Sequence, residues 1–261
     1  MNLPCDYNAI FKDRVIIIGG VGRSGTTILG KIIDSMHPVV YLMEPAILKY
    51  MPMVCKSPFV AGGFLGTIFE DYIAPAICKK YKTFRRFDVM DWIKANNPVF
   101  IIKSNELQPQ LEDIVKLFDG VKYIEIIRNG INVVDSSLNE RGWFKDDYQQ
   151  IDFHIDGVPY YIFEGDRRLW PKWNPATRAA CNWRTLLNYL QKETPILRYE
   201  NLKNSFQAIV SELPGHVTVT NETFDLIASV HPEKQSGITM DDIEQPERSL
   251  FVYKMKELGY L

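Results

Sequence analysis

Apolar residues along this chain fall into short, β-branched runs separated by longer stretches of helical periodicity. Four runs, Val15–Ile18, Val39–Leu42, Val99–Ile102 and Tyr123–Ile127, are apolar without alternation, the pattern of strands buried on both faces. Pro195–Tyr199 is a fifth candidate strand. Helical patterns cover Thr26–Met36, Gln108–Phe118, Ile131–Leu138, Ala176–Lys192 and Leu202–Leu213. Strand alternating with helix predicts an α/β fold, a central and mainly parallel sheet of about five strands flanked by helices, joined by right-handed crossovers. Two stretches interrupt the alternation: 46–97, with several Pro and Gly, and 141–175, rich in aromatic and charged residues. Both read as rim insertions that form a lid or line an acceptor site. With no internal repeat or low-complexity tract, residues 1–261 read as a single domain.

Composition narrows the class of partner. Hydrophobic residues make up 46% and charged residues 24%, enough apolar surface for a sizeable core. A net charge of −2 gives no reason to expect a nucleic-acid partner, so any anion must be held by a local site. Cys5, Cys55, Cys78 and Cys181 are widely spaced, without the pattern of a zinc site or a disulfide framework. No carboxylate cluster suggesting a metal is legible, so none is expected. No run is long enough to span a membrane and the N-terminus lacks a signal-like apolar segment, so a cytoplasmic location is expected.

The first strand runs into Gly19-Gly20-Val21-Gly22-Arg23-Ser24-Gly25-Thr26-Thr27, and a helical pattern begins at once. A strand, a glycine-rich turn and a helix N-terminus make an anion-binding device, because the first N–H groups of a helix have no intrahelical partner and its dipole favours negative charge. Ser24, Thr26 and Thr27 add hydroxyls, and Arg23 adds a planar cation. Gly20 and Gly25 have the spacing of a Walker A loop, but Thr26 stands where the loop lysine of nucleoside triphosphatases belongs. A second device follows the fourth strand. Arg128 is expected at a strand's carboxyl end, Asn129 as a helix cap and Ser136 one turn beyond Asn132 on the same helix face, so that Arg128 and Ser136 meet one anion.

Gly22-Arg23-Ser24-Gly25-Thr26-Thr27 resembles the 5′-phosphosulfate loop of sulfotransferases that use 3′-phosphoadenosine-5′-phosphosulfate (PAPS). Arg128 to Ser136 resembles the family's 3′-phosphate motif in its spacing of eight residues, with Gly130 in place of a proline and Asn132 in place of an aspartate. Two phosphate devices suit an adenosine phosphorylated at both ends. The resemblance implies a P-loop-like sulfotransferase fold, PAPS as co-substrate, and Gly22, Arg23, Ser24, Gly25, Thr26, Thr27, Arg128, Ser136 and Tyr199 as its binding residues. Tyr199 lies in Arg198-Tyr199-Glu200-Asn201-Leu202, similar to a late family element that packs near adenine. Lys234 is the nearest match to a late basic loop.

The same resemblance implies catalytic roles. Phe100-Ile101-Ile102-Lys103-Ser104 is similar to a strand whose terminal lysine reaches the leaving group, a role Lys103 shares with Arg23. Where many members carry a histidine base this chain has Asn105. Tyr41-Leu42-Met43-Glu44-Pro45-Ala46 resembles an element of carbohydrate sulfotransferases and makes Glu44 the first candidate base, ahead of Glu106, His37 and His154. The acceptor is expected to be a hydroxyl of a saccharide or small-molecule alcohol. Tyr160, Tyr161, Phe163, Trp170 and Trp173 would stack on it or form a satellite core, and Arg167, Arg168 and Lys172 would meet an acidic acceptor or form a solvated loop. Trp183 reads as core. A P-loop kinase or a non-catalytic nucleotide-binding module remains the alternative.

Overall fold

A computed structural model describes residues 6–45, 58–82, 86–105, 107–145, 154–155, 157–190, 193–230 and 236–261. Five strands form one parallel sheet: β1 (Val15–Gly19), β2 (Val39–Met43), β3 (Val99–Lys103), β4 (Lys122–Ile127) and β7 (Ile196–Arg198), in the order β2-β3-β1-β4-β7. β5 (His154–Ile155) and β6 (Val158–Pro159) make a separate antiparallel hairpin. The chain leaves β1 for β2 on one side and later crosses to β4 on the other, so the carboxyl edge of β1 is the switch point at which open parallel sheets form a crevice.

Side-chain alternation divides the sheet's two faces. Ile16, Ile18, Val39, Val99, Ile101, Ile124 and Ile126 pack against Leu29, Ile32 and Ile33 of the helix Thr26–Asp34. Val15, Ile17, Val40, Leu42, Phe100 and Ile102 face the opposite layer. With both faces covered, no strand needs the polar alternation of a half-exposed sheet.

Several expected boundaries shift for local reasons. The pattern at Gln108–Phe118 opens as a 3₁₀ turn, Gln108–Gln110, around Pro109 and becomes α-helical at Leu111–Leu117. The helix expected at Ile131 starts at Gly130, where the Asn129 side chain accepts from the Ile131 N–H at 3.0 Å, and widens into a π-turn at Ser136–Glu140. The pattern at Leu202–Leu213 is α-helical only over Phe206–Glu212, after the 3₁₀ turn Tyr199–Asn201.

Among the described residues, both insertions contribute to the core. Pro58–Thr67 continues through a π-helical segment, Ile68–Ile73, into Ala74–Tyr81, and Arg86–Asn96 follows. Leu65, Ile68, Phe69, Ile73 and Ile77 are buried with Ile17 and Phe100, so the described part of this insertion covers a sheet face. In the second insertion Tyr161, Trp170 and Trp173 are buried with Trp183 and Phe251, where the helix Pro175–Asn188 meets Glu247–Glu257. The satellite-core reading of those aromatics therefore holds. Phe163, 42% exposed, stacks on Tyr189 instead. Arg167 is not placed for an acidic acceptor: its guanidinium donates to the carbonyls of Pro159, Tyr160 and Ile162 and ties down its own loop. Arg168 pairs with Glu164 at the surface, where such a pair adds little stability.

One buried polar cluster joins this layer. Arg184 pairs with Asp166 and, through two nitrogens, with Glu247, each contact at 2.7 Å. Cys181 lies among them, and burial among carboxylates pushes its thiol pKa well up. Asp166, Cys181 and Glu247 cluster closely enough to suggest metal ligands, but the Arg184 guanidinium already holds both carboxylates, which makes this an internal ion pair.

Candidate active site

The carboxyl edges of β1, β2, β3 and β4 open on one cavity of about 560 Å³ lined by Arg23, Thr26, Glu44, Lys103, Arg128 and Tyr199, among others. These six come from expected site positions far apart in sequence, and register explains the meeting of those at the strand ends. Lys103 is level with Ile18 of β1 and Met43 of β2, so the residues just beyond these strand ends share one edge.

The loop after β1 takes its shape from two positive φ angles, 75° at Arg23 and 95° at Gly25, which turn the chain into the helix. Gly25 is the helix N-cap and offers no side-chain cap, leaving the first N–H groups of Thr26–Asp34 open toward the cavity. Gly20 and Gly22 are needed for close approach. A methyl group on Gly20 would stand 2.5 Å from Thr26 Cγ2, and one on Gly22 would stand 2.6 Å from the Trp143 ring. Ser24 is fully buried, and its hydroxyl has no hydrogen-bond partner. Thr27 is exposed at the cavity wall.

Thr26 replaces the loop lysine in more than sequence. Its hydroxyl donates to Asn105 Oδ1 at 2.9 Å, Asn105 Nδ2 donates to Glu44 Oε1 at 2.6 Å, and the same carboxylate oxygen is ion-paired with Lys103 Nζ. The cation that the loop lacks thus arrives from the adjoining strand. Alternation along β3 puts Lys103 on the same face as Val99 and Ile101, toward the helix Thr26–Asp34, and its side chain is 2% exposed. It is a buried cation, not the solvated strand end its position allows. Glu44 is held against β3 by its own N–H, which donates to the Lys103 carbonyl at 2.7 Å, in the left-handed conformation (φ 47°). Half of its side chain faces solvent.

The second device is assembled differently from the expectation. Arg128 and Ser136 do not meet directly; Arg23 stands between them. Arg128 Nη1 donates to the Arg23 carbonyl at 3.2 Å, and its guanidinium lies 4.8 Å over the Tyr199 ring. Arg23 Nε donates to Ser136 Oγ at 2.8 Å, and its Nη2 is ion-paired with Glu140. Ser136 Oγ in turn donates to Glu140 Oε2 at 2.9 Å. Burial works against ionisation of Glu140, but the Ser136 hydroxyl and the Arg23 and Arg128 charges hold its carboxyl below the usual carboxylate range. Supporting contacts fix this corner. Trp183, fully buried, donates from Nε1 to the Arg128 carbonyl at 3.2 Å. Glu200 accepts from the Asn129 N–H at 2.6 Å. Gly130 packs so closely under Phe251 that an added methyl would lie 2.6 Å from its ring, which explains glycine at that corner.

Glu106 and the whole Lys234 position fall outside the described residues. His37 precedes β2 at the opposite sheet edge, its ring against Tyr81, so it does not line the cavity. His154 belongs to the hairpin strand β5. Sequence reasoning missed Met43, Ile28, Arg141, Trp143 and Glu140, all at the cavity or bonded to its arginine. The last three sit within seven residues of Ser136, on either side of a turn at Gly142 (φ 68°) that a pattern of strands and helices does not reveal.

No protein-family model matches the chain, and no curated protein sequence matches it. Among solved structures it is similar to the sulfotransferase domain of the Synechococcus PCC 7002 olefin synthase, at 18% identity over 83% of this chain and 74% of that one, with a TM-score of 0.42. It is similar to sulfotransferase STF9 from Mycobacterium avium, at 13% identity over 95% and 77% of the two chains (TM-score 0.46). A third similar structure is sulfotransferase STF1 from Mycobacterium tuberculosis H37Rv, at 9% identity over 98% and 79% (TM-score 0.46).

Proposed function

We propose that this protein is a sulfotransferase that moves a sulfuryl group from PAPS to an acceptor hydroxyl. One observation carries the reading: a single cavity is lined by a glycine-rich loop with no loop lysine and by Arg128 from the next strand-to-helix corner, with the loop's Arg23 bonded to the buried Ser136 on the following helix. The loop N–H groups, Arg23 and Thr27 suit the 5′ end of such a nucleotide. Arg128, Arg23 and Ser136 suit a 3′-phosphate, and Tyr199, already under a guanidinium, suits the base. The unpartnered Ser24 hydroxyl under the loop fits a cradle whose hydrogen bonding is incomplete without an anion.

In the reaction the acceptor oxygen forms a bond to sulfur as the bond from sulfur to the bridging phosphate oxygen breaks. The acceptor proton passes to Glu44 and negative charge appears on the leaving oxygen. Glu44 and Lys103 are ion-paired at rest. A proton arriving on Glu44 cancels its hold on Lys103, so the buried ammonium is released to the leaving oxygen as charge develops there, stabilising the transition state more than the ground state. The acceptor class favoured is a saccharide or small aliphatic alcohol. Arg167 has its own carbonyl partners, which removes one argument for an acidic group.

Titration calorimetry without magnesium, comparing 3′-phosphoadenosine 5′-phosphate with ADP and ATP, tests the reading. A preference of about 100-fold for the 3′-phosphorylated ligand, about 2.7 kcal/mol, is expected. Equal or tighter binding of ADP or ATP overturns it in favour of a kinase.

A further inference from the structure

Two cations at the loop are engaged by carboxylates of the chain itself, Lys103 by Glu44 and Arg23 by Glu140. Glu44 has a use in the reaction. Glu140 has none, and its placement is peculiar. It follows Ser136 by one π-helical turn, which brings its carboxylate back over the serine it follows. One carboxylate oxygen then takes both the Ser136 hydroxyl and an Arg23 nitrogen. These are the groups that would receive a phosphate at this end of the cavity. The Arg23 side chain is mostly covered and Glu140 mostly exposed, so the acid can swing into solvent without unfolding anything, whereas the arginine is fixed by Ser136 and by its loop.

We infer that Glu140 is a stand-in anion, occupying the Arg23–Ser136 phosphate subsite until a ligand phosphate displaces it, and so sets how tightly that subsite binds. The inference rests on the sulfotransferase reading for the identity of the natural ligand, but the displacement itself needs only an anion. A phosphate entering there replaces a carboxylate that already satisfies Ser136 and Arg23, so its net gain is the difference between two charge-assisted contacts, not the whole of one. The arrangement also keeps Arg23 oriented and neutralised while the site is open to solvent, where an uncompensated buried cation is costly. A ligand that offers only a weak or neutral group at this end has no means of removing the acid, so Glu140 selects for a doubly charged phosphate.

The test uses Glu140→Gln, which keeps shape and removes charge, and Glu140→Ala, each checked for an unchanged thermal midpoint. Two probes are titrated by calorimetry: inorganic phosphate and 3′-phosphoadenosine 5′-phosphate. Both variants are expected to bind both probes about three- to tenfold more tightly than the unmodified chain, the range set by an exposed partner of a charged hydrogen bond. In the unmodified protein labelled with ¹⁵N-arginine, the Arg23 Nε–H resonance should shift on phosphate addition toward its position in the phosphate-bound variant. Unchanged or weaker binding in Glu140→Gln would overturn the inference and make Glu140 a support for Arg23. If inorganic phosphate binding tightens while no protein distinguishes the 3′-phosphorylated nucleotide from ADP, the stand-in role survives and the sulfotransferase reading fails. If the unmodified protein makes that distinction and neither variant gains affinity, the reverse holds.

Discussion

Tyr199 packs against Gly25 so closely that a methyl group on that glycine would sit 2.3 Å from the ring. The contact joins the beginning of the phosphate loop's helix to a residue 174 positions later, and it holds the aromatic ring beneath the Arg128 guanidinium. Gly25→Ala is therefore expected to fail on two counts. Its φ of 95° costs an L side chain about 1–2 kcal/mol, and the methyl drives Tyr199 out of place. Urea unfolding should show a loss of at least that size, and 3′-phosphoadenosine 5′-phosphate binding should weaken by more than the unfolding alone explains. Gly25→Ala binding that ligand at full affinity would remove Tyr199 from the nucleotide site.

Lys103 and Glu44 separate binding from chemistry. Lys103→Ala should lower turnover by about 10²–10³ while changing nucleotide affinity far less, the signature of a contact that strengthens in the transition state. Glu44→Gln should lower turnover by about 10²–10⁴ with nucleotide binding intact. Single-turnover assays beside calorimetry read both quantities. Equal losses in turnover and affinity for Lys103→Ala would reassign it to binding, and undiminished turnover in Glu44→Gln would move the base elsewhere.

Beneath the loop, Glu125 of β4 is fully buried, level with Gly19. Burial pushes its pKa from 4.5 to about 7, against the opposing hydrogen bonds from Tyr123 (2.5 Å) and Gln108 (2.8 Å). Between those two pH values the folded chain holds a proton that the unfolded chain has lost, so this residue's contribution to stability is full below 4.5 and is lost as pH rises to 7. The stability difference between the unmodified chain and Glu125→Gln should fall by up to about 3 kcal/mol across that window and then level off. Denaturant unfolding at pH 5, 6, 7 and 8 measures it, and a flat difference would show Glu125 ionised throughout.

Arg184→Met leaves Asp166 and Glu247 buried without their cation. The expected cost is about 3–5 kcal/mol, read as a lowered midpoint in thermal unfolding. A loss below about 1 kcal/mol would mean that the two acids take up protons cheaply in that layer.

The strands were legible in the sequence because β-branched runs buried on both faces leave a continuous apolar signature, and Val15, Val39 and Val99 open them where expected. The glycine-rich turn from β1 into the helix Thr26–Asp34 was legible because glycine spacing is dictated by local backbone geometry. What lay beyond reach was set by packing between distant segments. Nothing local in residues 58–81 says that Phe69 and Ile77 cover Phe100. Spacing suggested that Arg128 and Ser136 meet, but the π-turn at Ser136–Glu140 and the left-handed Arg23 interpose a second arginine and an acid. The aromatic second insertion has the composition of a ligand surface, yet Trp170 and Trp173 are consumed by the core.

The sheet order has a practical corollary. Arg23, Thr26, Glu44 and Lys103 all precede the turn at Asp119–Gly120, and Arg128, Ser136 and Tyr199 all follow it. β1 and β4, which flank the cavity, come from opposite sides of that turn and are held together only by their ladder and side chains. A chain divided there would yield two halves, each with an incomplete set of cavity residues, whose reunion would regenerate the proposed nucleotide site. Ligand binding would then serve as a reporter of strand reassembly, turning the crevice into a sensor for the proximity of whatever is fused to each half.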